Sequence, residues 1–135
     1  MATSQRPAMS DAEREVLKVL WDHGPKTVRE VLDLLADQGQ DWTRSTVITL
    51  LQRLERKGYV EADKSNFAHI FHAIVSREEV MHDRMLELAG ELCDGQALPL
   101  VLAFAERQRF KPSEIERFRK MIDALETKPR KRGAK

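Results

Sequence analysis

Apolar and polar positions recur along most of this chain with helical spacing, and the helix starts are marked. Ser10-Asp11-Ala12-Glu13 has the form of a capping box, in which the serine hydroxyl and the glutamate carboxylate each satisfy a backbone N–H left over at a helix start. It opens a helix with Val16, Leu17, Leu20 and Trp21 on one stripe, ended by Gly24-Pro25. Thr27-Val28-Arg29-Glu30 repeats the box and opens a second helix, with Val28, Val31, Leu32 and Leu35 inward and Gly39 beyond its end. A third helix starts at Thr43, buries Val47, Leu50, Leu51 and Leu54, and stops at Gly58, where a left-handed cap is wanted.

The period then changes. Residues 59–64 and 68–74 are short, β-rich runs separated by Ser65-Asn66-Phe67, which reads as a β-hairpin. Phe67, Ile70 and Phe71 cannot all face solvent, so some of them are expected on the first or fourth helix. Ser76-Arg77-Glu78-Glu79 is another capping box and begins a long helix to about Cys93. Its Met81, Met85, Leu88 and Leu92 form a seam of heptad type, broken by Asp94-Gly95. A fifth helix over 98–107 carries Val101, Leu102 and Phe104. After Lys111-Pro112, Ser113-Glu114-Ile115-Glu116 is read as the cap of a sixth, whose apolar face is Ile115, Phe118, Ile122 and Leu125.

This order predicts a mainly α chain: a winged helix-turn-helix domain over 9–75, then a three-helix region over 76–127. The stripes of the last three helices exceed what about 50 residues bury alone. A second copy in a C2 dimer supplies the cover, with Met81, Met85, Leu88, Leu92, Val101, Phe104, Ile115, Phe118 and Ile122 at the dimerisation interface.

Composition narrows the class. The 135 residues are 41% hydrophobic and 33% charged, which fits a folded, water-exposed protein. No apolar run approaches the roughly 18 residues that span a bilayer, and the N-terminus lacks a signal-peptide core, so no membrane insertion and a cytoplasmic location are expected. A single cysteine, Cys93, makes no internal disulfide and excludes multi-cysteine metal frameworks. The net charge of +1 hides an uneven spread. Residues 128–135 carry five bases and no acid, leaving 18 bases against 22 acids elsewhere. This tail reads as disordered, and serves equally as a phosphate-attracting arm or a solubilising end. Residues 11–41 hold four bases against eight acids, whereas 42–58 hold Arg44, Arg53, Arg56 and Lys57 against Glu55 alone. A basic element on an acidic background suits a polyanion met by one face.

The third helix is the candidate recognition element. Thr43, Arg44, Ser45, Thr46, Ile48, Thr49, Gln52 and Arg53 lie off its buried stripe. Small hydroxyls allow close approach and bond phosphates or base edges, Ile48 suits a thymine methyl, and Gln52 or Arg53 reaches a base or phosphate. An ordinary solvated helix has the same composition; the three-helix context followed by a hairpin favours DNA. Lys64, Ser65 and Asn66 would place the wing against the adjacent backbone, although a hairpin this poor in charge also serves simply to close the core. His69, His72, His82 and Cys93 do not form a ligand set, because three-residue spacing in a strand sends two histidines to opposite faces. No metal or other cofactor is expected. No phosphate-binding glycine loop or nucleophile motif is present, so catalysis is not expected.

Met9-Ser10, Glu13, Val16-Leu17 and Leu20-Trp21, the run from Ser45 through Arg53-Leu54 to Lys57-Gly58, Val75 through Glu79, Leu92 through Gly95 and Leu100 through Phe104 together resemble the penicillinase-repressor family of BlaI/MecI type over roughly residues 9–126. The resemblance implies a cytoplasmic homodimeric repressor on a palindromic double-stranded DNA operator, with Ser45, Thr46, Ile48, Thr49 and Arg53 on its recognition helix. For β-lactam-responsive members it implies a membrane sensor protease as partner and cleavage at the bond matching Ala103–Phe104, where this chain has Ala103 in place of the family's Asn. The wing has Asn66-Phe67-Ala68 where Gly-Arg-Ala is common, and the C-terminal cysteine cluster of copper-responsive members is missing. Two rival readings remain: a winged-helix protein-interaction module without DNA affinity, and a small-molecule-responsive repressor with a pocket between wing and dimer helices.

Overall fold

The computed structural model describes residues 6–128. Among them, six helices and three short strands run in the order α1 (Asp11–His23), β1 (Lys26–Thr27), α2 (Val28–Asp37), α3 (Arg44–Lys57), β2 (Val60–Asp63), β3 (Ile70–Ala73), α4 (Arg77–Leu92), α5 (Ala97–Arg107) and α6 (Pro112–Thr127). Ser10, Thr27 and Ser76 each accept a bond from the N–H three residues on. The carboxylates of Glu13, Glu30 and Glu79 accept in turn from the cap's own N–H. Thr43 caps α3 by the first half of that exchange, at 3.2 Å from the Thr46 N–H.

α6 begins differently from its sequence reading. Its cap is Lys111, Pro112 is the first helical residue, and the Glu114 carboxylate accepts from the Lys111 N–H at 2.9 Å. Ser113 therefore lies inside the first turn instead of capping it. Proline's fixed φ suits that first position and it has no N–H to leave unsatisfied, which outweighs the hydroxyl that follows.

The sheet also holds one strand more than a hairpin. β1 runs antiparallel to β3, with Lys26 opposite Phe71 and Thr27 opposite Ile70, and β3 pairs on its other edge with β2. Thr27 thus ends a strand and caps a helix at once.

The core gathers Val16, Leu17 and Leu20 of α1, Val31 and Leu35 of α2, and Val47, Leu50, Leu51 and Leu54 of α3 under Val60, Phe71 and Val75. α1 packs across both α2 and α3, and β3 lies on α1. This is a winged helix-turn-helix, with β2 and β3 as the wing. Each fully buried aliphatic side chain here stabilises by about 1.5–3 kcal/mol, so the inward stripe of α3 fixes which of its faces looks out.

α4, α5 and α6 are built the other way. Ala89 is the buried residue of α4, and α5 and α6 bury none of theirs. Met81, Met85, Leu88, Leu92, Val101, Phe104, Ile115 and Ile122 are all exposed, Leu92 by 72%. Phe118 is half-buried, edge-on to Phe110 with ring centroids 5.3 Å apart. α4 and α5 bend by 103° at Asp94-Gly95, both with positive φ, a conformation aspartate and glycine tolerate. The Ala103–Phe104 bond lies within α5. Among the described residues no single helix is long and apolar enough to cross a membrane. Residues 129–135, most of the basic tail, lie outside the described residues.

Candidate nucleic-acid interface

With its aliphatic stripe inward, α3 presents Arg44, Ser45, Thr46, Thr49, Gln52, Arg53 and Arg56 exposed, with Ile48 half-buried beside them. Its start is a hydroxyl cluster. The Thr43 hydroxyl donates to Thr46 Oγ1 at 3.0 Å and lies 3.4 Å from Ser45 Oγ, while accepting from the Thr46 N–H. The remaining free N–H groups of that first turn, at the positive end of the helix dipole, suit a phosphate. Arg44, Ile48 and Gln52 form one wall of a groove of about 390 Å³, closed by Thr27, Val28 and Arg29 at the start of α2 and by the wing residues Phe67 to His69 with Phe71.

Lys57 does not share this outward face. Its ammonium lies 2.7 Å from Glu13 Oε1 and donates to the Ala8 carbonyl at 2.9 Å. Glu13 is only 1% exposed. Burial pushes its carboxyl up, but the Lys57 hydrogen bond, the Ser10 N–H and the charges of Lys57 and Arg53 outweigh that, and its pKa falls below the ordinary 4.5. The pair joins the start of α1 to the end of α3. The sequence pattern marks Glu13 only as a cap and Lys57 only as one base in the charge of 42–58. The pairing partner is 44 positions away, and no local pattern points to it.

The end of α3 is held further. Gly58 takes the left-handed conformation at φ 89°, and its carbonyl accepts from Arg6 Nε at 3.1 Å. The Arg6 guanidinium lies 5.8 Å from the Tyr59 ring centroid and 3.9 Å from Asp83 of α4, and the Tyr59 hydroxyl donates to the Pro7 carbonyl at 2.7 Å. On the other side of α4, Arg77 pairs with Asp22 at 2.7 Å and lies over the Trp21 ring, whose Nε1 donates to the Val75 carbonyl at 2.9 Å. α4 is thus tied to both α1 and α3.

In the wing, Asp63 Oδ1 accepts from the Ser65 hydroxyl at 2.7 Å and the Ser65 N–H at 3.0 Å, which holds the Asp63 carboxyl below its usual range. Lys64 reaches back to Glu55 at 3.7 Å. Of the three wing residues singled out by sequence, Asn66 stands exposed while the other two are engaged within the chain. The phenyl ring of Phe67 beside it is wholly exposed. Of the aromatic and aliphatic residues weighed in this hairpin, Phe71 is the one the core takes in. His72 faces Glu61 at 3.7 Å, His69 borders the groove, and His82 lies 3.8 Å from Asp83. Among the described residues no three His, Cys, Asp or Glu side chains gather as a metal site.

Comparison with known proteins agrees with this architecture. Residues 9–124 match the penicillinase repressor family. The transcriptional regulator BlaI of Mycobacterium tuberculosis is 32% identical over 101 residues, 73% of this chain and 72% of its own length. The penicillinase repressor of Bacillus licheniformis is 27% identical over 87% of this chain and 91% of its own. The methicillin resistance regulatory protein MecI of Mammaliicoccus sciuri is 25% identical over 85% and 93%. Among solved structures, the DNA-binding domain of the repressor BlaI superposes with a TM-score of 0.50 at 30% identity, covering 56% of this chain and 92% of that domain. The family is one of transcriptional repressors and not of enzymes, and this chain belongs to it.

Proposed function

We propose that this chain is a DNA-binding transcriptional repressor that acts in the cytoplasm as a homodimer on a palindromic operator, with α3 in the major groove. The observation that carries the reading is the outward face of α3. Its buried positions all point into the three-helix core, and arginine, glutamine and small hydroxyls occupy the rest. In this reading Thr43, Arg44 and the free N–H groups at the helix start hold phosphate, and Ser45 and Thr46 permit close approach. Ile48 meets a thymine methyl, while Thr49, Gln52 and Arg53 face base edges. Of the wing residues, Asn66 lies along the flanking backbone, while Lys64 and Ser65 are engaged with Glu55 and Asp63.

The dimer follows from the exposed stripes of α4, α5 and α6. Met81, Met85, Leu88, Leu92, Val101, Phe104, Ile115 and Ile122 stand exposed and Phe118 is half-buried against Phe110, and a second copy covers them. Two half-sites about one helical turn apart are then read together.

Fluorescence anisotropy with duplex from upstream of the chain's own gene, against a scrambled duplex, at two salt concentrations tests the proposal. Binding of a dimer that prefers the first duplex by orders of magnitude, with steep salt dependence, is expected. No binding at low salt would leave the chain as a protein-interaction module.

A second reading is favoured by a groove of about 670 Å³ between α1 and α4, lined by the apolar Trp21, Val80, Met81 and Met85, by the bases Arg14, Lys18, Arg77 and Arg84, and by the acids Glu87 and Glu91. It makes the repressor responsive to a small amphipathic ligand, bound between α1 and α4 and not at the wing. Thermal-shift screening with small organic acids discriminates, since only this reading expects a stabilising hit that also lowers affinity for DNA.

A further inference from the structure

We propose that Phe67, at the tip of the wing, is an apolar DNA contact that packs against sugars and base edges in the minor groove beside each half-site; this rests on the reading of the chain as a DNA-binding repressor. Phe67 is 104% exposed, whereas the only other large hydrophobic side chain exposed in residues 6–75 is Ile74, at 42%. Most of the exposed apolar residues of α4 to α6 are those assigned to a second copy, but the wing tip belongs to no such face. Among the described residues nothing covers the ring. Its support is nonetheless ordered: the Asp63–Ser65 bonds close the turn before it, and Asp63 pairs with Ile70 across the hairpin.

Position and charge point to the same partner. Phe67 shares one groove with Arg44, Ile48 and Gln52, so the ring stands on the side of the molecule where α3 presents its outward residues. A duplex seated on α3 runs past the wing. Lys64, the nearest base in the turn, is directed back to Glu55 on α3. The wing tip therefore offers a hydrophobic ring in place of a phosphate-binding cation. Apolar side chains inserted at the minor groove are an established way of holding DNA, and withdrawing a phenyl ring from water is favourable in itself.

The test uses the full chain and a duplex that the wild-type protein selects from a randomised pool. Wild type, Phe67→Ala and Phe67→Arg are titrated by anisotropy across a salt series, and each complex is footprinted with hydroxyl radicals. Phe67→Ala is expected to weaken binding roughly tenfold per wing. The slope of log K against log salt stays unchanged, and the protected minor-groove patch outside each half-site disappears. Phe67→Arg is expected to recover affinity at low salt with a slope steeper by about one per wing. Both variants keep the wild-type unfolding temperature, because the ring is fully exposed. Phe67→Ala with wild-type affinity and footprint overturns the wing contact and leaves the repressor reading standing. An affinity loss with a shallower salt slope also overturns it, since that marks an electrostatic contact. A pool from which no duplex is enriched overturns the DNA reading and the wing contact together.

Discussion

A carboxylate as enclosed as Glu13 stays charged only because Lys57, 2.7 Å away, and the Ser10 N–H face it. Removing one member of such a pair strands the other, which costs more than the pair contributes. Lys57→Met is expected to lower stability by about 3 kcal/mol, read as a shift of the urea midpoint at neutral pH, and Glu13→Gln by about 1–2 kcal/mol. The pH dependence has a definite sign. The folded carboxyl titrates below its ordinary 4.5, so the stabilisation is complete above that value and is lost as pH falls through the folded pKa. Urea titrations of wild type and Glu13→Gln should therefore differ at neutral pH and converge in acid. Curves that stay equally far apart throughout would show that Lys57 is not the source. Arg53, one turn before Lys57, is exposed and attracts Glu13 only through space. Arg53→Ala is expected to weaken operator binding by roughly 1–3 kcal/mol with little loss of fold; an unchanged isotherm removes it from the interface. Residue types at the α3 face were legible in sequence because a helix repeats over a few positions. The engagement of Glu13 with Lys57 was not, since only folding brings α1 and the end of α3 together.

Elements whose starts depend on neighbouring residues were legible to the same extent. Ser10, Thr27 and Ser76 cap the helices their capping boxes predict, because the bonds span three residues, and Thr43, read as the first residue of the third helix, is its cap. Two features fail this condition. β1 has two residues, too few to alternate, and exists because Phe71 and Ile70 of β3 offer it a free edge. At α6 two local signals compete, and Pro112 wins over Ser113. Thr43 matters at this scale because its one hydroxyl serves both the Thr46 N–H and the Thr46 hydroxyl. Thr43→Ala is expected to destabilise by about 1 kcal/mol, with Thr43→Ser restoring most of it, as followed by thermal unfolding. If alanine and serine behave alike, the cap does not hold the start of α3.

At the scale of the molecule, two halves obey different rules. The core residues run from Val16 to Val75, and none of the α4 seam residues Met81, Met85, Leu88 and Leu92 is among them. Yet α4 is fastened to the first half by Arg77–Asp22, by Arg6–Asp83 and by the Trp21 bond to Val75. In the proposed dimer, a second copy gripping α4 would fix where two α3 helices stand, and the second half-site would be met as an intramolecular event, worth about 10²–10⁴ in avidity. Leu88→Asp places a charge in the seam without touching the core. It is expected to give a monomer in sedimentation, to keep the thermal unfolding of the N-terminal half, and to lose affinity for a full operator by up to that factor. Affinity for an isolated half-site should hardly change. A Leu88→Asp monomer that binds the full operator as tightly as wild type would sever dimerisation from DNA binding, and the exposed seam would then need another purpose.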